Sequence, residues 1–458
     1  MEVIDLLEYL KNKDVKLAVS DGKLKYNAPE GAVTDEIKET LKRHKAEIIS
    51  IVKKGQPGCS FANQIILGDC LEELKKIPSG SIDLLVTDPP YGLKFMGKNW
   101  DKALPKVETW KECLRVLKPG AFAFVMCIPR QDLLCRMILS LEEAGFDSRF
   151  TSLYWTFAKG MPKGLNVSKA IDKKAGISRK IIRRNPNSRE NCDKSNTIYE
   201  SGTVGKTAYI TEPVTEDAKR FEGAYAGFQP KPAVEVILVV MKPCKERTYV
   251  GQALNNGKGI TWIDDCRIPS NAEGRFPANL LVSDNVLDDG KKHTSGKAIV
   301  GTGNSQSAHF GVDGIITSFY ADTGSYSRFF SLDAWAERNL PFLIVPKTSK
   351  REKNAGLQDF EDINGGSYCF REDGSLDGAI PIHKNHHPTV KPIELMSYLV
   401  TLGSREGDIV LDPFCGSGTT CIAAMMLKRD FIGMEINPKY HQIALKRLEH
   451  HRRKKTAA

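Results

Sequence analysis

Residues 84–93 read LLVTDPPYGL, an apolar run that ends on an aspartate, two prolines and a tyrosine. Leu84, Leu85 and Val86, bounded by proline and glycine, predict a buried strand. The carboxyl end of such a strand is where open α/β sheets keep their chemistry. Asp88 offers a carboxylate there, Pro89 and Pro90 stiffen the loop, and Tyr91 offers a flat aromatic face. A second stretch with chemical content is DPFCGSGTT, residues 412–420. A strand ending in Asp412 leads through Gly416 and Gly418 into a helix, and the glycines let a ligand approach the amides at that helix's N-terminus. This is no phosphate-binding P-loop, since no Lys-Ser/Thr pair follows the last glycine, and it holds only the first two glycines of a dinucleotide fingerprint. Further on, Glu435 ends FIGME, the place where an acidic side chain accepts hydrogen bonds from ribose hydroxyls.

The elements that must position these residues follow from periodicity. NQIILGD predicts a strand ending at Asp69, CLEELKKIP a helix, SIDLLVTDPPYG a strand, and VETWKECLRVLKPG a helix stopped by Pro119-Gly120. AFAFVMC is another buried strand, QDLLCRMILSLEEAG a helix closed by Gly145, and FDSRFTSLYWTFAKG a strand pair. Strands alternating with helices argue for a doubly wound parallel sheet. Between about 160 and 380 the periodicity dissolves, leaving VEVILVVMKP as one clear strand and TSGKAIVGTGNSQSAHFGVDG as a Gly/Ser-rich loop. The regular pattern resumes with IELMSYLVTLG, DIVLDPFCGSGTT, CIAAMMLK and DFIGMEINP, and HQIALKRLEHHRRKK closes the chain as a helix with a basic tail.

Residues 1–54 read as a separate small unit. MEVIDLLEYLKNKD has helical spacing, KLAVSDGKLKYNAP alternates around Asp21-Gly22 like a hairpin, and TDEIKETLKRHKAEIISIVKK is a second amphipathic helix opened by Thr34. GQPGCS, residues 55–60, reads as a linker.

Composition limits the function classes. The chain has 458 residues, 41% of them hydrophobic, enough for a sizeable core and more than one domain. No apolar stretch approaches the roughly 18 residues needed to span a bilayer, and the acidic N-terminus lacks a secretory n-region, so a cytoplasmic location with no membrane partner is expected. Its 11 cysteines form no CxxC pair or Cys/His cluster, which predicts reduced thiols and no metal site. A formal charge of +10 suits a polyanionic partner.

VTDPPYG together with HPTVKP, VLDPFCGSGTT and FIGMEINPKY resembles the amino-methyltransferases that methylate exocyclic base nitrogens in DNA. The DPPY half precedes the cofactor-loop half across a long irregular region, an order similar to the circularly permuted beta group. Phrases such as GRFPANLL and SRFF look like those of phage and prophage members. The resemblance covers about residues 60–450. It implies a Rossmann-like S-adenosylmethionine-dependent sheet, with a catalytic half at 60–160, a target-recognition region at 161–380 and a cofactor-binding half at 381–451. The implied reaction is methylation of N6 of a flipped adenine in double-stranded DNA, of the restriction-modification kind. A serine at the first motif position is commoner among N4-cytosine enzymes, so Asp88 tilts the choice to adenine; N4-cytosine methylation stays the alternative, as does a DNA-binding docking protein without catalysis.

The implied roles follow. An exocyclic amine has its lone pair delocalised into the ring, so the site needs acceptors for its N–H hydrogens. Asp88 would be one, the Pro89 carbonyl the other, and Tyr91 would stack the flipped base. Asp69 matches the acidic position near the cofactor's adenine, with a helix N-cap as the plain alternative. Asp412, Phe414, Gly416, Gly418 and Thr419 would wrap its methionine moiety, and Lys391 would meet its carboxylate. Thr389 would cap the helix beginning near Pro392, and His387 is structural. The basic run Lys173, Lys174, Arg179, Lys180, Arg183 and Arg184 suits phosphate contacts. Trp262, Arg267 and Arg275 lie in the recognition region without a readable pattern. Residues 1–54 resemble the TubC-type docking domain, which implies a protein partner; read from the residues alone, a small structural cap is the alternative. Monomer and homodimer are both consistent with the sequence.

Overall fold

The structure, a computed structural model, describes residues 61–93, 103–157, 164–184, 209–228, 233–269, 274–283, 323–340, 350–358 and 389–457, with shorter stretches at 15–20, 23–29, 33–45, 293–294, 363–364 and 382–385 and a few single positions. The first expected helix apart from Leu10, the linker 55–60 and nearly all of the Gly/Ser-rich loop lie outside the described residues. In the N-terminal unit, β1 (Lys16–Ser20) and β2 (Lys23–Asn27) form the expected antiparallel hairpin, with Lys16 opposite Asn27. Helix α1 (Asp35–Arg43) opens on Thr34, whose hydroxyl accepts the Ile37 amide at 3.4 Å.

The main body begins with β3 (Gln64–Leu67) and α2 (Cys70–Lys75), then β4 (Leu84–Thr87) and α3 (Val107–Val116). Next come β5 (Phe122–Cys127), α4 (Gln131–Ala144) and β6 (Leu153–Thr156). Gly145 ends α4 in the left-handed region at φ 102°, as its position in the sequence predicts. The expected strand pair around 147–157 is one strand; Asp147 makes only an isolated bridge to Met241.

An inserted unit follows, made of α5 (Val167–Lys174), β7 (Lys180–Arg184), β8 (Tyr209–Glu212) and α6 (Glu216–Arg220), with β7 and β8 antiparallel. The chain then supplies β9 (Val234–Met241), β10 (Leu280–Val282) and α7 (Leu332–Asn339). It finishes with α8 (Ile393–Gly403), β11 (Ile409–Asp412), α9 (Thr419–Met426), β12 (Asp430–Glu435) and α10 (Pro438–Ala457).

Among the described residues one sheet of eight strands organises the body, in the order β10-β6-β9-β5-β4-β11-β12-β3. All neighbours run parallel except β9, which is antiparallel to β5 and β6. Both β4 and β5 are buried along their whole length because helices cover both faces. Alternation divides their side chains between two cores. Leu84, Val86, Phe122, Phe124 and Met126 face one layer with α8 and α9, while Leu85, Ala123, Val125 and Cys127 face the other with α3 and α4. Each fully buried Leu, Val or Phe contributes about 1.5–3 kcal/mol. Helix α8 is buried all round, wedged between sheet and α9, which explains its nearly uninterrupted apolar sequence.

Two features depart from the sequence reading. Strands β9 and β10 belong to the sheet, although they fall in the region expected to hold target recognition. Thr389 does not cap α8: Pro392 occupies the cap position without a side-chain bond, and Glu352 Oε1 accepts the Ile393 amide at 3.2 Å. The carboxylate of a distant segment takes the role a hydroxyl would have filled locally.

Candidate active site at the carboxyl ends of four parallel strands

Strands β3, β4, β11 and β12 end on the same edge of the sheet, and each end carries an acid into one cavity of about 400 Å³. Asp69 follows β3, Asp88 follows β4, Asp412 ends β11 and Glu435 ends β12. Pro89, Pro90, Tyr91, Phe414, Gly416 and Thr419 also line this space. The structure therefore brings together the two motifs that lie far apart in the chain.

Asp69 is the N-cap of α2, its Oδ1 accepting the Leu71 amide at 2.9 Å while the residue still borders the cavity. Asp412 turns inward. Its Oδ1 accepts from the Thr87 hydroxyl at 2.7 Å and the Phe414 amide at 3.1 Å, so it ties the end of β4 to the glycine turn. Burial pushes its carboxyl up to about 6 against those bonds.

The glycine turn is built for close approach. Gly416 sits at φ 52°, where a side chain is strained, and a Cβ there would lie 2.7 Å from His387 Nε2. Gly418 opens α9 at φ 80°, with room for a Cβ only 3.0 Å from the Ala444 Cβ. His387 fills the space against Gly416 and meets Tyr440 edge-on at 4.6 Å between ring centres. Burial and the nearby cations Lys391 and Arg447 push its pKa down to about 3, so it stays neutral and serves as packing. Beneath the turn Arg447 of α10, fully buried, donates to Ser417 O at 2.6 Å, Ser417 Oγ at 2.9 Å and Thr419 Oγ1 at 3.2 Å. Phe414 meets Trp110 edge-on at 6.0 Å. Glu435 accepts the Asn437 amide at 2.8 Å, and burial raises its carboxyl to about 7.

On the other side of the cavity the Tyr91 hydroxyl donates to Asp88 Oδ1. Lys391, expected at a cofactor carboxylate, lines the cavity and places its ammonium 2.6 Å from Asp88 Oδ2 and 3.3 Å from Glu235 Oε2. The reason is electrostatic: a buried ammonium needs an anion, and two carboxylates stand within reach. Burial alone would lower its pKa, yet Asp88 and Glu235 outweigh that and hold it at about 12. Glu235, Arg447 and the pairing of Lys391 escaped the sequence reading. An acid inside the apolar run PAVEVILVVM was the one signal for Glu235.

The candidate phosphate-binding residues divide. Lys173 and Lys174 are exposed in the last turn of α5, Lys180 pairs with Glu212, Arg183 is exposed and Arg184 closes β7. Arg179 departs from the expectation. Its side chain is 9% exposed, and its guanidinium is engaged by Asp172 at 3.0 Å, Glu222 at 3.1 Å and Ser168 at 2.8 Å, holding the inserted unit together. Arg275 and Arg405 stack on Phe329 and Trp262, at 4.3 and 3.5 Å from the ring centres, and Arg267 pairs with Asp264 at 2.8 Å.

A glycine turn, an acid at each adjoining strand end and a mostly parallel sheet define the S-adenosylmethionine-dependent methyltransferase fold. Residues 82–446 match the DNA methylase family of the N6/N4 type, and the chain belongs to that family. S-adenosylmethionine is the family's cofactor. The cavity fits it on its own chemistry: a turn that carries no side chain at Gly416 and a buried acid at Glu435, whereas Gly418 packs against Ala444 and does not line the cavity. Residues 3–53 match the TubC N-terminal docking domain. The chain is 45% identical over 76 residues to the type II methyltransferase M2.DpnII of Streptococcus pneumoniae, covering 17% of this chain and 28% of that protein. It is 24% identical over 406 residues to the DNA adenine methyltransferase YhdJ of Escherichia coli K12, covering 85% and 83%. Among solved structures, the cytosine-N4-specific PvuII DNA methyltransferase superposes with a TM-score of 0.39 at 16% identity, covering 84% and 85%. Among the described residues no helix is long and apolar enough to cross a membrane, and no group of three or more His, Cys, Asp or Glu side chains is placed to hold a metal.

Proposed function

We propose that the protein methylates the exocyclic N6 of an adenine flipped out of duplex DNA, as a circularly permuted beta-class enzyme. The observation that carries this reading is the position of Asp88 and Tyr91 at the end of β4, facing the same cavity as the glycine turn after β11. The relative named as a DNA adenine methyltransferase, matched along most of both chains, supports adenine, as does aspartate rather than serine at position 88.

When bound, S-adenosylmethionine supplies the activated methyl group. The chain's own groups prepare the acceptor. Asp88 and the Pro89 carbonyl accept hydrogen bonds from the two N–H groups of the target amine, which turns its lone pair out of the ring. Tyr91 stacks the base and offsets part of an unstacking cost of a few kcal/mol. Its hydroxyl bond to Asp88 keeps ring and carboxylate in register. Rate enhancement on this reading comes from position, with no covalent intermediate on the protein.

The test is incubation of DNA with the protein and methyl-labelled S-adenosylmethionine, then digestion to nucleosides and mass spectrometry. Label in N6-methyladenine is expected. Label in N4-methylcytosine would replace adenine by cytosine as target, and no label in DNA would defeat the reading. Asp88→Ala should abolish transfer while DNA affinity, followed by fluorescence anisotropy, persists.

A further inference from the structure

Glu235 is the only charged residue in PAVEVILVVM. Because β9 runs against its neighbours, its first residues lie at the carboxyl edge of the sheet, and Glu235, in register with Trp155, lines the cavity. Its Oε2 stands 3.3 Å from Lys391 Nζ and 3.4 Å from the Tyr91 hydroxyl. Those two groups also hold Asp88, Lys391 at Oδ2 and Tyr91 at Oδ1. Asp88, Lys391, Glu235 and Tyr91 thus form a closed ring. Two carboxylates around one ammonium leave the site short of a positive charge, which suits a reaction in which the substrate acquires one.

We propose that Glu235 is the final acceptor of the proton that the target amine loses, an inference that rests on the amine-methylation reading above. As the nitrogen lone pair forms the N–C bond, the methyl–sulfur bond breaks with its electron pair staying on sulfur, and the nitrogen becomes cationic. Asp88 Oδ2 takes one proton from it. Lys391 passes one of its own protons to Glu235 Oε2 and, with the lone pair that frees, takes the proton from Asp88 in the same step. The count closes with a neutral methylated amine, an Asp88 carboxylate, a Lys391 ammonium and a neutral Glu235, which returns its proton to solvent after product leaves.

Other groups facing Glu235 do not compete. Burial, with Asp88 and Glu235 beside it, keeps the Tyr91 hydroxyl protonated, and burial lifts the Cys127 thiol of β5 to about 12. Glu235 itself is raised by burial and by Asp88, against the pull of Lys391, so it takes up a proton above the usual carboxylate range.

Glu235→Gln keeps an acceptor for Lys391 but cannot take a proton. Single-turnover transfer at saturating cofactor and DNA should fall about 100-fold or more. The wild-type rate should rise with pH through an acid limb that the variant lacks, and Glu235→Asp should restore a limb at shifted pH. Infrared spectra of the ligand-free proteins should show one carboxyl band, titrating above the usual carboxylate range, that Glu235→Gln removes. Cofactor and DNA affinities of Glu235→Gln should stay within a few-fold of wild type. A Gln variant with the wild-type rate and limb overturns the proposal, as does an Asp variant with an unshifted limb should the Gln variant fail to fold. Absence of label with the wild-type protein would instead overturn the amine-methylation reading itself.

Discussion

The Glu435 carboxyl, held at about 7 by burial, lines the cavity, and on the proposed reading it meets the two hydroxyls of the cofactor's ribose. Its anion accepts both, whereas the acid form gives up an acceptor position. Cofactor affinity is therefore expected to weaken as pH falls through about 7. Calorimetric titration on either side of neutrality checks this. Glu435→Gln should bind about 10-fold or more weakly, since hydrogen bonds to charged groups are worth about 1.5–3 kcal/mol, and should lose that dependence. Retention of the wild-type pH dependence would assign it to another group, with Asp412 the neighbour titrating at about 6. At this scale the sequence was a good guide to which residues meet. Asp88 and Glu435 were legible because each closes an apolar run; the ion-pair partners of Lys391 and Arg179 were not, because the choice of counter-charge depends on folded neighbours.

At the scale of elements, the described residues of the inserted unit are joined through a polar hub. Asp172, with no exposed surface, accepts from Arg179, the amides of Val214 and Thr215, and the Thr215 hydroxyl at 2.7 Å, joining α5 to the start of α6. Removing it leaves Arg179 with a single carboxylate, Glu222 at the rim. We expect Asp172→Ala to speed limited proteolysis within residues 164–228 and to lower DNA affinity, while the thermal midpoint of the main sheet moves little. An unchanged cleavage pattern would show that α5 and α6 are held by other contacts. This hub was invisible in the sequence, where the basic run reads as a charged surface, because Val214 and Thr215 lie 42 and 43 residues beyond Asp172.

For the whole molecule, β11 and β12 from the end of the chain lie between β4 and β3 from its beginning. The candidate active site is thus assembled from segments far apart in the chain, and pairing such segments into a parallel sheet is intrinsically slow. Residues 1–54 add no strand to that sheet among the described residues. Deleting residues 1–54 is expected to leave methylation of naked DNA within a few-fold of the full chain. Loss of soluble protein on deletion would make this unit structural, and retention of both would leave docking as its proposed task.

Periodicity and the two motifs by themselves determined a parallel α/β sheet, the acids at its strand ends and the glycine turn, because short-range patterns dictate strand, helix and turn. The tertiary structure decided what those patterns leave open. It wove β9 antiparallel into the sheet, which carries Glu235 to the carboxyl edge, and it set Lys391 between two carboxylates. Charge pairing in a buried site depends on distances between segments far apart in the chain, and only the folded arrangement sets those distances.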